Sequence, residues 1–569
     1  MKHFIMRLPH VARRGVRGSC GLPGGSGGPG VSGLLGVLAT TLLAACASPG
    51  DIAPRVVLQA PAQLATRVSL PEQGGDWPAT DWPARLGGPD LQALVDEALA
   101  GNPGLQVAAT RIAAAQAAVS GARALVGPGF SAGFSSTEQR FTEHGLYPPP
   151  LAGSWRNDNR LTVDMSWDPD FWDRHGSELR AALSQVRASE AEVHAARLAL
   201  ASAVARSWLQ LARLQAEGAL VERQLAVRAR MLELAGLRAA AGLDTDIDRA
   251  LLRQQQAGLR GETERLAEAA ALTRNQIAAL LGKGPDRGAS LPRADLPAES
   301  AWRLPDALPL GLLGRRPELV AARWRVEAAQ GDIATARLQF YPNVNLVAFA
   351  GFSSFGINRL LQGGSQIAGF GPALRLPLFE AGSLRAQLQG RVALYDNAVA
   401  SYNQTLVELV REVADQVQSL QAVGRQTVQQ EAALQAARHA FELNRQREQV
   451  GLVNQLPVLA AEYARLGEER LRLQLQARQA DLRVALIKTL GGGFEAGDTD
   501  LAVPVAGGAV AAAAPTAATA ATAATAATAA KPSATATTTA TASTAPALLT
   551  GAAVPGPSVS PILAARPAS

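Results

Sequence analysis

Cysteine is almost absent: Cys20 and Cys46 are the two among 569 residues. Cys20 falls in a segment that reads as a removable leader, so the mature chain keeps no thiol pair and cannot be held together by disulfides. Histidine is nearly as scarce. His3, His10, His144, His175, His194 and His439 are scattered without metal-ligand spacing, which leaves no zinc arrangement. The apolar stretch VSGLLGVLATTLLAA at 31–45 has only 15 residues, short of the roughly 20 that a helix needs to cross a hydrocarbon core. P-loop, dinucleotide and nucleophile-elbow patterns are missing from the mature chain, and the glycines at 24–30 belong to the leader. Asp168, Asp170 and Asp173, beside Trp167 and Trp172, have the look of paired catalytic carboxylates. A polar girdle at a membrane boundary, with aromatics at headgroup depth, explains them more simply. No enzymatic activity, cofactor or metal is expected.

Acids are missing from the first 45 residues, which carry Lys2, Arg7, Arg13, Arg14 and Arg17 ahead of the apolar stretch. A basic region followed by a short apolar one is a signal sequence. It ends in Leu43-Ala44-Ala45-Cys46, which resembles the bacterial lipobox and marks Cys46 as the lipid attachment point. Ala47 in place of an aspartate points to the outer membrane. Removing the leader takes five positive charges from the formal +6 and leaves +1. With no stripe of cations interleaved with aromatics, nucleic-acid binding has little support. From about 506 to 569 charge and aromatics are nearly missing too. This Ala/Thr/Pro-rich tail has little apolar surface to bury and is expected to be disordered.

Between the ends the chain repeats itself. NPGLQVAATRIAAAQAAVSGARALVGP at 102–128 aligns without a gap, at an offset of 214, to RPELVAARWRVEAAQGDIATARLQFYP at 316–342, with ten identities in 27 positions. GFSS occurs at 133–136 and 351–354; Leu179-Arg180-Ala181 recurs as Leu384-Arg385-Ala386. Arg238-x-x-x-Gly242-Leu243 recurs as Arg447-x-x-x-Gly451-Leu452, and Leu281-Gly282 as Leu490-Gly491. Landmarks in the same order in both halves are the signature of a duplicated unit.

Proline is missing from 176 to 240, where Leu179, Leu183, Val186, Val193, Leu200, Val204, Leu211, Leu214, Val221, Leu225 and Leu232 keep one heptad frame. Such periodicity predicts a coiled-coil seam on a helix about 100 Å long, matched in the second half over about 382–450. Period two appears elsewhere. Leu161, Val163, Met165 and Trp167 alternate with Arg160, Thr162, Asp164 and Ser166; Phe130 and Phe134 alternate with Ser131 and Ser135, and Leu374, Leu376 and Leu378 with Ala373 and Arg375. These are strands with one apolar and one polar face, as in an outer-membrane barrel or a half-buried soluble sheet. Two strands per half make four per chain. The smallest barrel takes about eight, and an open edge cannot sit in lipid, so a membrane-spanning version requires several chains.

Together the lipobox at 43–46, the duplicated NPGLQ/RPELV segments, the turn LRLPLFEAGSLRAQL at 374–388 and the two R-x-x-x-G-L turns resemble the TolC-like outer-membrane factors of tripartite efflux, particularly the acylated NodT-like lipoproteins. The resemblance covers about 80–495. It implies a mainly α fold with a β-barrel portion: a homotrimer with four strands per chain and twelve in all, continued by a long α-helical periplasmic tunnel with an internal two-fold repeat. Expected segments are a signal peptide at 1–45, an acylated linker at 46–84, repeats at 85–285 and 315–495 separated by a linker at 286–314, and the tail at 496–569. The implied function is a passive exit duct in the outer membrane, working with a periplasmic adaptor and an inner-membrane pump of the resistance-nodulation-division type. Arg238, Gly242, Leu243, Arg447, Gly451 and Leu452 are then the candidates for adaptor docking. A plain helix–helix turn explains these glycines equally well. Asp244, Asp246 and Asp248 are candidate gate residues, although acids there also suit a helix start; in the second half Pro457 and Ala460 stand where the family would place acids. Two other readings stay open: an exit duct for type I protein secretion, and a pore-less periplasmic coiled-coil lipoprotein.

Overall fold

The computed structural model describes residues 49–60, 63–66, 68–70, 74–297, 308–377 and 379–497. Cys46, the leader and nearly all of the Ala/Thr/Pro-rich tail lie outside the described residues. In chain order the first half comprises α1 (Trp82–Gly101), α2 (Pro103–Ala124), β1 (Gly129–Arg140), β2 (Trp155–Trp167), α3 (Arg174–Ala240), α4 (Asp246–Leu280) and the short α5 (Asp286–Ala289). The second half repeats the plan with α6 (Leu308–Arg315), α7 (Pro317–Leu338), β3 (Asn343–Phe355), β4 (Gln366–Arg375), α8 (Ala381–Gln449) and α9 (Gln455–Thr489). Among the described residues no helix is apolar enough to cross a membrane.

Helices α3 and α8 run 67 and 69 residues, each about 100 Å at 1.5 Å per residue. No helix so long can stand alone. α3 packs on α2 and α4 along one flank and on α7 and α9 along the other, and α8 packs on α7 and α9. The 22 residues of α2 and the 35 of α4 lie end to end as one broken column nearly as long as α3; α7 and α9 do the same. The wall is therefore four columns wide, in the order α2/α4, α3, α7/α9, α8.

The duplicated landmarks meet where the broken columns join. Asn102 caps α2 by accepting from the Gly104 N–H (2.7 Å), while its Nδ2 donates to the Leu280 carbonyl (2.8 Å) at the end of α4. One amide thus satisfies orphan groups of two helices. In the second half Arg316, only 3% exposed, plays that part: its Nη1 donates to the Thr489 carbonyl at 2.6 Å and lies 3.4 Å from that of Lys488. Gly282 (φ +71°) and Gly491 (φ +93°) turn the chain out of α4 and α9, and a Cβ at either would collide with the facing backbone, Gly101 or Arg315. This double demand explains why Leu-Gly recurs at both junctions.

Each column continues into one strand: β1 follows α2, β2 leads into α3, β3 follows α7, and β4 leads into α8. The sheet is antiparallel throughout in the order β1-β2-β3-β4, with β2–β3 joining the halves. Its registers carry apolar rows across all four strands, such as Phe130–Met165–Ala348–Phe370 and Ala132–Val163–Ala350–Ala368. The intervening rows hold Ser131–Asp164–Phe349 and Ser135–Arg160–Ser353, so the opposite face is polar on β1 and β2 and mixed on β3. The two GFSS motifs place Phe134 and Phe352 on either side of Leu161.

Two details depart from the sequence pattern. The heptad frame of α3 is buried from Val193 to Val221, but above it Leu183 is 39% exposed, and Ala181, Ala188 and Ala191 are buried instead. There α3 and α7 approach closely: a Cβ on Gly331 would lie 2.9 Å from that of Ala181, which only small residues permit. β4 ends at Arg375, so Leu376 lies outside the strand, and Leu378 lies outside the described residues. Pro377 removes the N–H that a longer ladder would require.

Candidate functional site

The far ends of the columns form two helical turns. After α3, the Leu243 N–H donates to the Arg238 carbonyl (2.9 Å) and the Gly242 N–H to Ala239 (3.0 Å); after α8, Leu452 donates to Arg447 (2.9 Å) and Gly451 to Glu448 (2.9 Å). Both are Schellman caps, with glycine at φ +70° and +76°. A Cβ at either glycine would meet nothing within 4 Å, so backbone conformation alone demands glycine here. Leu243 and Leu452 are 67% and 71% exposed, each an apolar knob at the end of a helical pair.

Charge differs between the turns. Arg238 Nε donates to Asp244 Oδ2 at 2.6 Å; this bond holds the Asp244 carboxyl below the usual carboxylate range and raises the Arg238 pKa. Asp246 and Asp248 occupy the first turn of α4, where the helix dipole favours acids, and Arg249 lies 3.5 Å from Asp246. At the second turn the equivalent of Asp244 is Val453. Among the described residues Arg447 forms no ion pair, and Asn454 caps α9 by accepting from Leu456 N–H (3.1 Å). The structure thus brings Arg238 and Asp244 together and leaves Arg447 open.

At the opposite end stands the strand wall. Trp155 and Trp167 bound β2; twelve steps of about 3.4 Å at a tilt of about 40° span about 31 Å of height, close to a bilayer core. Phe141 contacts Tyr147 and Phe355 (centroids 5.2 and 5.5 Å) at the outer strand ends, and Trp172 contacts Tyr341 (5.1 Å) at the inner ends. These are two aromatic belts. Trp167 Nε1 donates to the Val126 carbonyl (3.1 Å) before β1, and Trp172 Nε1 to Pro342 (2.8 Å) before β3, so the α3 column is pinned to both neighbours. Asp170 accepts from the N–H groups of Arg174 (2.6 Å), His175 (2.9 Å) and Gly176 (3.1 Å), and Asp168 pairs with Arg174 (2.8 Å). The aspartate cluster is the cap of a 67-residue helix.

A family model described as "Outer membrane efflux protein" matches residues 94–283 and 308–492. The chain belongs to the outer membrane efflux protein family. Among similar proteins, the multidrug resistance outer membrane protein MdtQ of Escherichia coli O6:H1 is 30% identical over 471 residues, 80% of this chain and 96% of that one. The fusaric acid resistance protein FusA of Burkholderia cepacia is 34% identical over 363 residues, covering 62% of this chain and 68% of FusA. The crystal structure of the outer membrane protein VceC of Vibrio cholerae superposes with a TM-score of 0.67 at 37% identity, over 74% of this chain and all of VceC. The fold is that of the TolC-like outer-membrane channels, mainly helical with a four-stranded sheet, and the protein is an outer-membrane protein.

Within this efflux-family architecture, three functional features escaped the sequence pattern. The Asn102 and Arg316 junction residues differ between the halves, although the Asn-Pro and Arg-Pro that open α2 and α7 marked the place. The capping role of Asp170 was readable only as acidity near a helix start. An extended strap at 49–60 lies along α8, where Asp396 accepts from the N–H groups of Arg55 (3.0 Å) and Val56 (3.1 Å), and Asn403 exchanges bonds with Gln59 N–H (2.8 Å) and the Val57 carbonyl (2.9 Å).

Proposed function

We infer that the protein is the passive exit duct of a tripartite efflux system, a homotrimer whose twelve strands close one barrel and whose columns form the tunnel beneath it. The observation that carries this is the four-stranded sheet. On one face the rows Phe130–Met165–Ala348–Phe370 and Ala132–Val163–Ala350–Ala368 are apolar across all four strands, while the outer edges of β1 and β4 have no partner among the described strands. A lipid-facing sheet cannot leave its edges open, and three copies supply twelve strands, a number that closes a barrel. A pore-less coiled-coil lipoprotein would have no use for such a sheet.

Cys46 is the proposed acylation site. Ile52 packs beside Phe340, Leu384 and Leu388, at the level where helices pass into strands. Six extended residues reach about 20 Å, enough to bring Cys46 to the membrane surface. The turns at Arg238, Gly242, Leu243 and at Arg447, Gly451, Leu452 are the proposed docking points for a periplasmic adaptor, with Leu243 and Leu452 as knobs. Asp244, Asp246 and Asp248 are the proposed gate, and its Arg238–Asp244 bond would need to yield when the tip dilates. The inner-membrane pump, of resistance-nodulation-division type, would supply energy. Multidrug resistance in the name of MdtQ supports small molecules as cargo. Charge reversal with Arg238→Glu and Arg447→Glu tests the docking assignment: adaptor captured in a pull-down should fall while the trimer persists, and undiminished capture would remove it.

A further inference from the structure

At mid-height α3 is covered almost all round. α4 and α9 flank it, and α1 packs behind it on Trp208, Leu211 and Ala212. One stripe stays open, with Arg206 and Gln210 exposed and Arg213 half-buried. The segment 290–297 crosses the covered rear face, where the Ala294 N–H donates to Gln215 Oε1 (3.2 Å) and Gln476 Nε2 donates to the Pro297 carbonyl (3.0 Å). Gln215 is two residues from Arg213, and Gln476 is two from both Gln474 and Arg478. Two residues turn a helix by about 200°, so Arg213, Gln474 and Arg478 face the other way. In a closed ring the face that carries α1 and the crossing segment is the outside, and the open stripe lines the lumen.

On that lumenal side a groove of about 880 Å³ runs between α8 and α9, lined by Arg425, Gln426, Gln429 and Gln430 from one helix and Gln474 and Arg478 from the other. Gln474 and Arg478 also line the adjoining groove against α3, with Arg206 and Gln210. The charges there are unequal. Arg206 forms a two-pronged pair with Asp481 (2.6 and 3.0 Å), and Arg213 pairs with Glu217 (3.0 Å), so these two are neutralised. Among the described residues Arg425 and Arg478 have no ion pair. Glu468 accepts from Gln430 Nε2 at 2.6 Å.

We propose that the α8–α9 groove is a transit station for organic anions, in which Arg425 and Arg478 grip a carboxylate or sulfonate and the surrounding glutamines solvate the rest of the solute. The proposal rests on the exit-duct reading, under which two such guanidiniums per chain become six at one level of the lumen. Guanidinium is weakly hydrated, always charged and shaped for two-pronged contact with planar anions. Exposure to water keeps the grip weak, as passage requires: a station in a conduit has to release what it captures. Arginine does not titrate in the physiological range, so the preference should not change between pH 5 and 9, whereas salt should weaken it.

The test uses the full chain in detergent at low salt, with the trisulfonate dye pyranine as probe and fluorescence anisotropy as readout. Arg425→Gln with Arg478→Gln should weaken dye binding about tenfold or more, the scale of losing charge-assisted hydrogen bonds; each single change should give a smaller loss. Arg472→Gln removes an unpaired cation from the opposite face of α9 and should change nothing. Equal losses from Arg472→Gln and Arg478→Gln, or full binding by the double variant, would overturn the station. Reversal potentials across a potassium chloride gradient separate this failure from failure of the duct. Wild type should favour chloride and the double variant should shift toward potassium. Normal conductance with an unmoved reversal potential rejects the station and keeps the duct, whereas a chain that binds dye as expected but never conducts rejects the duct.

Discussion

Replacing Arg316 with methionine should loosen the third column at its joint and nowhere else. The side chain is 3% exposed and is held by the Thr489 carbonyl at 2.6 Å, with Lys488 O at 3.4 Å and Glu318 Oε2 at 3.2 Å. Methionine keeps much of the stem volume but has no donor. The loss is that of a charge-assisted bond to a buried carbonyl, about 1.5–3 kcal/mol, plus part of the cost of leaving that carbonyl unpaired, for a total of about 3 kcal/mol. Glu318 is 34% exposed and can turn to water, so it adds little. In the first half Asn102→Ala should cost about 2 kcal/mol, about 1 for the lost cap and about 1 for the lost bond to Leu280. A melting temperature would dilute either change across a large chain. Hydrogen exchange reads it locally: at about 1.4 kcal/mol per decade, amides at 484–491 should exchange about a hundredfold faster in Arg316→Met while those at 275–282 stay as they were. Asn102→Ala should give the reverse pattern. Exchange within about threefold of wild type at 484–491 would mean that packing alone joins the columns and that the bonds to the Thr489 and Lys488 carbonyls contribute nothing.

Gly242→Ala and Gly451→Ala should each cost about 1–2 kcal/mol through left-handed backbone strain alone, since a Cβ there meets nothing within 4 Å; exchange should rise at the tip without loss of assembly. Phe370→Arg places a cation on the apolar face near mid-strand and should cost about 2–4 kcal/mol of membrane insertion, seen as less protein in outer-membrane fractions. Ser131→Arg, on the polar face, should be tolerated. Glu262 bonds Arg265 (2.7 Å) and Arg470, which, with Arg265 acting most strongly, lower its pKa from 4.5 to about 2. A depressed carboxyl stabilises the fold in full above about pH 4.5 and loses that contribution as pH falls toward 2. Glu262→Gln should therefore flatten the acid limb of an unfolding profile, and an unchanged limb would show that Arg265 and Arg470 do not hold this carboxylate ionised in the folded state.

The long helices, the duplicated plan and the alternating strands were legible because each rests on a local period that one chain displays by itself. The stacking of α2 on α4 and of α7 on α9 was not, because its contact residues are Asn102 in one half and Arg316 in the other, two chemistries for one task. The alanine seam above Val193 was hidden for a related reason: heptad reading rewards large side chains, while close approach selects Ala181 and Gly331. At the tip the two R-x-x-x-G-L motifs look equivalent in sequence and share a cap geometry. Yet Asp244 engages Arg238, and Val453 offers Arg447 nothing. The strap at 49–60 is not legible in the sequence because backbone groups make its bonds to Asp396 and Asn403, and backbone leaves no mark in a sequence.

Single-channel conductance of the purified, detergent-extracted protein in a planar bilayer, with the oligomeric mass determined on the same preparation, decides between a trimeric channel and a pore-less protein. Three copies of the chain giving discrete channel events are the predicted result, in the resting protein or after the tip is loosened by Arg238→Ala. A monomer or dimer that stays silent even with the tip loosened would contradict the duct and return the chain to a periplasmic scaffold.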